Sequence, residues 1–155
     1  MFHVVLYMPE IPGNTGNISR TCAVTGTALH LIKPLGFSLE DKFLKRAGLD
    51  YWELLDVRVH ESLEDFLKLH GGEKLWLVET AGQKRYDEAH YPEDSFFVFG
   101  RETLGLPKGL VESYPEHTVR VPMLPERKAR SLNLSNTAAL VLYEALRQNG
   151  FPGLS

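Results

Sequence analysis

Six short β-rich runs, most of them nearly continuously apolar, recur along this chain and constrain its fold more than any other feature. They span residues 2–7, 29–33, 55–60, 75–79, 95–99 and 118–121. A strand with one face in water alternates apolar and polar residues, whereas a strand covered on both faces has no need to. Most of these runs do not alternate. Segments of helical spacing separate them, and strands interleaved with helices predict an α/β fold: a parallel sheet with helices on both sides.

The spacing predicts a helix over 16–26 with Ile18, Cys22 and Ala23 on one face, and another over 39–48 with Phe43, Leu44 and Ala47. Ser62 opens a third, with Glu64 and Asp65 in the first turn, where negative charge is favoured, and Gly71-Gly72 ends it. Pro107 suits a first helical turn, so a helix is expected from there to about residue 114. The last runs over 133–148, carries Ala138, Val141, Leu142, Ala145 and Leu146, and stops at Asn149-Gly150. Residues 80–92 are polar and read as a long connection with one turn of helix. Nothing reads as a linker or a repeat, so the expected organisation is one domain over 1–155.

With 43% hydrophobic and 24% charged residues, the chain belongs to the globular class rather than the disordered or collagenous ones. Its 17 basic and 20 acidic side chains give a net charge of -3, which argues against an indiscriminate electrostatic binder of nucleic acid. A nucleic-acid role would need a local basic patch. The one cysteine, Cys22, cannot close an intramolecular bridge and suits a reducing compartment. The run from Phe2 to Met8 lacks the basic lead and cleavage pattern of a signal peptide and is too short to span a bilayer. A cytoplasmic location without membrane contact is expected.

Three segments could carry chemistry. Pro12-Gly13-Asn14-Thr15-Gly16-Asn17-Ile18-Ser19-Arg20 follows a strand and opens a helix. It is either a plain turn capped by Asn14 or Thr15, or an anion site at a helix N-terminus with Arg20 one turn further on. It is neither a Walker loop nor a dinucleotide fingerprint. Residues 96–107 run from a buried strand through Gly100 and Gly105 into a helix, in the place where open parallel sheets hold ligands. An ordinary glycine-bearing turn explains them too, and Glu102, its one acid, either meets a cationic ligand or faces water. Residues 121–136 contain a run, Glu126-Arg127-Lys128-Ala129-Arg130, of net charge +2, then Ser131, Asn133, Ser135 and Asn136, more polar groups than one helix cap uses. The basic run is a solvated loop or a surface for a phosphate backbone.

Other chemistry finds little support. The six histidines have no pair at i, i+4 and no acidic partner at ligand spacing, so no metal is expected. The serines lack a nucleophile-elbow context, and Trp52 and Trp76 read as core or interface aromatics.

Taken together, Asn14-x-Gly16-x-x-x-Arg20, Phe99-Gly100-x-Glu102-x-x-Gly105-Leu106-Pro107, Val121-Pro122 and Ser131-Leu132-Asn133-Leu134-Ser135-Asn136 resemble the ordered motifs of the SPOUT RNA methyltransferases. The short chain and the segment from Gly36-Phe37 to Arg46-Ala47-Gly48-Leu49-Asp50-Tyr51 are similar to one subgroup, the TrmL or YibK-like tRNA wobble-nucleotide ribose 2′-O-methyltransferases. The resemblance implies a parallel-sheet SPOUT fold with a deep C-terminal trefoil knot, a homodimer, and S-adenosyl-L-methionine as methyl donor. It assigns Val78, Gly100, Glu102, Gly105, Val121, Ser131 and Leu132 to the cofactor and Arg20, Asn14 and Asn136 to catalysis. Arg20, Arg127, Lys128 and Arg130 are then the expected contacts to the partner, the anticodon stem-loop of tRNA, and Tyr143 is expected in the dimer or the core.

A guanidinium is a poor base, so the resemblance casts Arg20 as a positioning and alkoxide-stabilising group, the proton passing to a phosphate, a water or a transiently neutral arginine. Two departures stand out: Arg101 replaces a proline found in some members, and the 126–130 loop is about one residue longer. Another tRNA position, rRNA, or a non-catalytic RNA-binding module are the alternatives, while a nicotinamide-dependent oxidoreductase is disfavoured by the missing glycine fingerprint.

Overall fold

The computed structural model describes residues 1–40, 42, 46, 52–125 and 131–155. Strands β1 (His3–Tyr7), β2 (Ala28–Ile32), β3 (Val57–His60), β4 (Leu75–Val78), β5 (Lys84–Arg85), β6 (Phe96–Phe99) and β7 (Thr118–Arg120) form one sheet in the order β3-β2-β1-β6-β4-β7-β5. Each pairing between neighbours is parallel. Helices α1 (Pro12–Thr25), α2 (Leu63–His70), α3 (Lys108–Ser113) and α4 (Leu134–Gln148) lie against it.

The apolar runs are continuous because successive residues serve two cores. In β1, Val4 and Leu6 point to one face and join Ile18 and Cys22 of α1 and Val141, Leu142 and Ala145 of α4. Val5, between them, points to the other, where Phe66 of α2 and Leu110 of α3 cover it. β2, β4 and β6 are likewise buried along their lengths, and only the outer strands β3 and β5 expose residues freely. Trp76 belongs to this interior, stacked on His117 with ring centroids 4.5 Å apart.

The predicted strands are present with shifts of a residue or two at their ends. α2 and α4 match closely, because Ser62 caps the first by accepting from Asp65 N and Asn133 caps the second by accepting from Ser135 N and Asn136 N. Three expectations are corrected or fall outside. Residues 80–92 hold no turn of helix but the two-residue strand β5, whose pairing is tertiary: Tyr86 N donates to Arg120 O, and the Arg120 guanidinium donates to the carbonyls of Gly82 and Gln83. α1 starts four residues earlier than the apolar spacing indicated, because Pro12 already holds the φ of a first turn. Asn14 and Thr15 therefore lie inside the helix and cap nothing. The helix expected over 39–48 lies largely outside the described residues.

The histidines, dispersed in sequence, are gathered by the fold. His3, His30, His60 and His70 meet on the sheet face covered by α2, with His3 Nδ1 2.9 Å from His30 Nε2 and His30 Nδ1 2.8 Å from His60 Nε2. Register explains the assembly of the first three: His30 on β2 stands beside Val5 and Arg58, two strand residues, and so the same face, from the pairs His3–Ala28 and Ile32–His60.

Candidate functional site

A cavity of about 630 Å³ opens beyond the carboxyl ends of β4 and β6. Its walls come from the start of α1, the loop over 100–106, the segment after β7 and the start of α4, and it lies where parallel sheets hold ligands. Val78, Gly100, Glu102, Gly105, Val121, Ser131 and Leu132, all expected at the cofactor, line this one cavity together with Asn14.

The loop is shaped by two glycines. Gly105 sits at φ +67°, a left-handed conformation that side chains disfavour, and donates its N–H to Arg101 O at 2.9 Å. A Cβ on Gly100 would fall 2.5 Å from Leu106 N and press on the backbone of Gly105. Glu79, which no sequence motif marks, anchors the far side: its Oε1 accepts from Leu106 N at 2.6 Å and would lie 2.7 Å from any Cβ on Gly105. Its position was the available signal, since an acid placed directly after a buried parallel strand stands at the ligand end of the sheet.

Glu102 also has partners within the chain. Its carboxylate accepts from Glu10 N at 2.9 Å, Ile11 N at 2.8 Å and Asn14 Nδ2 at 3.2 Å, so the chain's own donors engage it at the rim of the cavity it lines. Glu10 answers across the same gap, accepting from Thr103 N at 3.1 Å and Thr103 Oγ1 at 2.8 Å, and these donors hold the Glu10 carboxyl below the usual carboxylate range. The two loops clasp each other reciprocally.

This arrangement sets the direction of a longer chain of bonds. An ionised carboxylate only accepts, so Asn14 must turn Nδ2 toward Glu102 and Oδ1 away. Asn14 Oδ1 then accepts from Asn133 Nδ2 at 3.1 Å, which leaves Asn133 Oδ1 to receive Ser135 N at 2.9 Å and Asn136 N at 3.3 Å. Three sequence motifs are thereby joined in one hydrogen-bonded line. Asn14 is 7% exposed, so losing its donor is costly. Asn14→Asp, which sets two carboxylates face to face, is expected to lower stability by about 2 kcal/mol. Adding Glu102→Gln should recover part of that loss, and urea denaturation of the single and double variants measures the coupling.

Other expected site residues lie apart. Arg20 is exposed on α1, eight residues beyond the start of the helix and about 9 Å along its axis from Asn14, so it is not part of an N-terminal anion site and does not line the cavity. Asn136 is exposed in the first turn of α4 and its backbone N–H, as described, serves the cap. Arg127, Lys128 and Arg130 lie outside the described residues.

Residues 1–143 match the family model described as the SpoU rRNA Methylase family. The chain belongs to the SpoU rRNA methylase family. A relative from Methylovorus glucosotrophus, named tRNA (cytidine(34)-2'-O)-methyltransferase, is 55% identical over 154 residues, covering 99% of each chain. A solved structure concerned with 2-OH methylation of C/U34 on tRNA is 43% identical and superposes with a TM-score of 0.90 over 96% of each chain. The SpoU methyltransferase AviRb from Streptomyces viridochromogenes, solved in complex with the cofactor AdoMet, is 25% identical with a TM-score of 0.80, covering 95% of this chain and 60% of that one. Membership in the SpoU family accounts for the motif order along the chain and for the α/β sheet that brings those motifs to one cavity.

Proposed function

We propose that this chain is an S-adenosylmethionine-dependent tRNA methyltransferase that modifies the ribose 2′-hydroxyl of the wobble nucleotide, cytidine or uridine 34, in the anticodon loop. The observation that carries this reading is the end-to-end likeness to a relative named for that reaction, 55% identical over 99% of both chains. The cavity suits the cofactor on its own terms. Its volume lies within the roughly 300–1,000 Å³ of small-molecule sites. Gly100 and Gly105 put bare backbone in its wall, and Val78, Val121 and Leu132 add apolar surface.

In the proposed mechanism Gly100, Glu102, Gly105, Val78, Val121, Ser131 and Leu132 form the cofactor pocket. Bound there, S-adenosylmethionine supplies an electrophilic methyl group on a sulfonium. Glu102 acts through its bonds to Glu10, Ile11 and Asn14, which hold the pocket's rim in place. Arg20 positions the ribose and stabilises negative charge developing on the 2′-oxygen, whose proton passes to a phosphate, a water or a transiently neutral arginine. Asn14 and Asn136 orient groups around it, and Arg127, Lys128 and Arg130 meet phosphates of the anticodon stem-loop.

Because Arg20 lies outside the cavity, a homodimer that brings Arg20 of one protomer to the cavity of its partner belongs to the same proposal. Apolar exposure supports it: Val24 on α1 and Leu140 and Tyr143 on α4 are 51%, 38% and 43% exposed. A deep trefoil knot in the C-terminal part is also proposed. It is supported by a sheet order that sets β6 between β1 and β4 and by the return of α4 onto α1. A tRNA substrate in turn implies the cytoplasm, and among the described residues no helix is long and apolar enough to cross a membrane.

Incubating the chain with S-adenosylmethionine and unmodified tRNA, then mapping ribose methylation by mass spectrometry, tests the assignment. A methyl group on nucleotide 34 is expected. Methylation confined to another tRNA position or to rRNA would move the target, and no transfer to any RNA would leave a non-catalytic RNA-binding module.

A further inference from the structure

We propose that His30, His60 and His70 form a binding site for one divalent transition-metal ion, zinc foremost, which clips α2 and the edge strand β3 to the sheet. Each residue offers a ring nitrogen, and these atoms all lie within 4.8 Å of one another. The three come from separate elements: His30 from the middle of β2, His60 from the last position of β3, His70 from the last position of α2. His30 is fully buried, His60 nearly so, and His70 is half-buried, so the cluster opens to solvent on the His70 side alone among the three.

The donor set selects the ion. Three imidazoles without a carboxylate match zinc and its neighbours rather than magnesium or calcium, and a water completes a four-coordinate site. Burial lowers the pKa of every member of the cluster, that of His30 to about 3, so at neutral pH the ring lone pairs are not occupied by a second proton. Asp65 and Glu73 act electrostatically on His60 and His70 in the sense that favours a cation, and Arg58 opposes them.

The hydrogen-bond line through the cluster already resembles a ligand with its supporting partner. His30 Nδ1 and His60 Nε2 face each other at 2.8 Å, and one of them must carry the proton between them. In the metal-bound form both nitrogens turn lone pairs to the ion. The His30 proton then sits on Nε2 and is donated to His3 Nδ1, 2.9 Å away, which fixes the ring orientation as outer-sphere partners of metal-bound histidines do. All the rings stay neutral, so tautomers change and no net proton is released. Zinc–nitrogen bonds of about 2.0–2.1 Å set tetrahedral donors about 3.3 Å apart, so the 2.8 Å pair of His30 and His60 opens by about 0.5 Å as the ion replaces their shared proton, and rotation of the half-exposed His70 ring closes the remaining distance.

The cluster occupies the α2 face, whereas α1 and α4, which help wall the cavity, cover the opposite face. The assigned role is therefore structural, and the proposal stands independently of the methyltransferase reading. The test uses the full chain without a histidine tag, stripped with chelator and titrated calorimetrically with zinc chloride. One zinc per chain and a rise in Tm are expected, and cobalt(II) should give the intense visible bands of a tetrahedral site. His70→Ala, at a half-exposed position the fold tolerates, should weaken zinc binding roughly 100-fold or more, while His90→Ala, at an exposed position outside the cluster, should leave it unchanged. No zinc binding by the parent chain, or binding undiminished in His70→Ala, would overturn the proposal.

Discussion

Arg20→Ala is expected to reduce methyl transfer roughly 100- to 1,000-fold while leaving S-adenosylmethionine affinity within about twofold, the range seen when one donor to a developing oxyanion is removed. The split follows from where the residue stands. Arg20 is exposed on α1 and absent from the cavity wall, so its removal takes no surface from the cofactor pocket. Its proposed partner is the ribose oxygen, whose negative charge exists only as the methyl is transferred, so the loss should appear in kcat more than in KM. Arg20→Lys should recover little, because a point charge does not reproduce a planar fork of donors. Single-turnover transfer to tRNA, beside calorimetry with the cofactor, separates the two effects. Turnover unchanged in Arg20→Ala would remove the residue from the mechanism.

Gly100→Ala should act in the opposite place, abolishing cofactor binding before any chemistry begins. One methyl group at this position has no space, since it would lie 2.5 Å from Leu106 N and against Gly105 backbone. The collision involves backbone on both sides, so no side chain can swing aside. Relief requires the 100–106 loop to move outward. That movement breaks the Leu106 N bond to Glu79 Oε1 and disturbs the wall formed by Gly105. Overpacking of this kind costs about 1–3 kcal/mol, which a 155-residue domain survives, so the variant should fold and show a lowered Tm. Affinity for S-adenosylmethionine should fall beyond roughly 100-fold, the mutant loop no longer presenting its backbone to the ligand. Normal affinity in a folded Gly100→Ala would show that the loop is not the cofactor's wall.

The sheet was legible in the sequence because burial on both faces leaves a signature that needs no knowledge of the partner: Val4 and Leu6 serve one core and Val5 the other, so the run is apolar throughout. Helix ends with a local cap, Ser62 and Asn133, were legible for the same reason. Features made by distant pairing were not. β5 is two exposed polar residues that become a strand only because Arg120 and Tyr86 fasten the segment to β7. His3, His30, His60 and His70 obey no ligand spacing, since strand register brings the first three together and the packing of α2 adds His70. At the candidate site the motifs pointed to one cavity, but the roles inside it were less readable. Glu102, which lines the cavity, is also an acceptor for residues 88 to 92 positions away, a role no local motif announces. Glu79 had no motif around it.

The one-way line from Glu102 through Asn14 to Asn133 also bears on when the protein becomes competent. Its links span 88 and 119 positions, so they close only after the beginning, the middle and the last fifth of the chain have met. Contacts that distant are slow to form, because the entropy of a large loop is lost before any of them contributes. Without residues 131–137 the cavity lacks the part of its wall formed by Ser131, Leu132, Asn133, Leu134 and Thr137. A ligand that fills the cavity would favour the closed form and so hold these distant segments together.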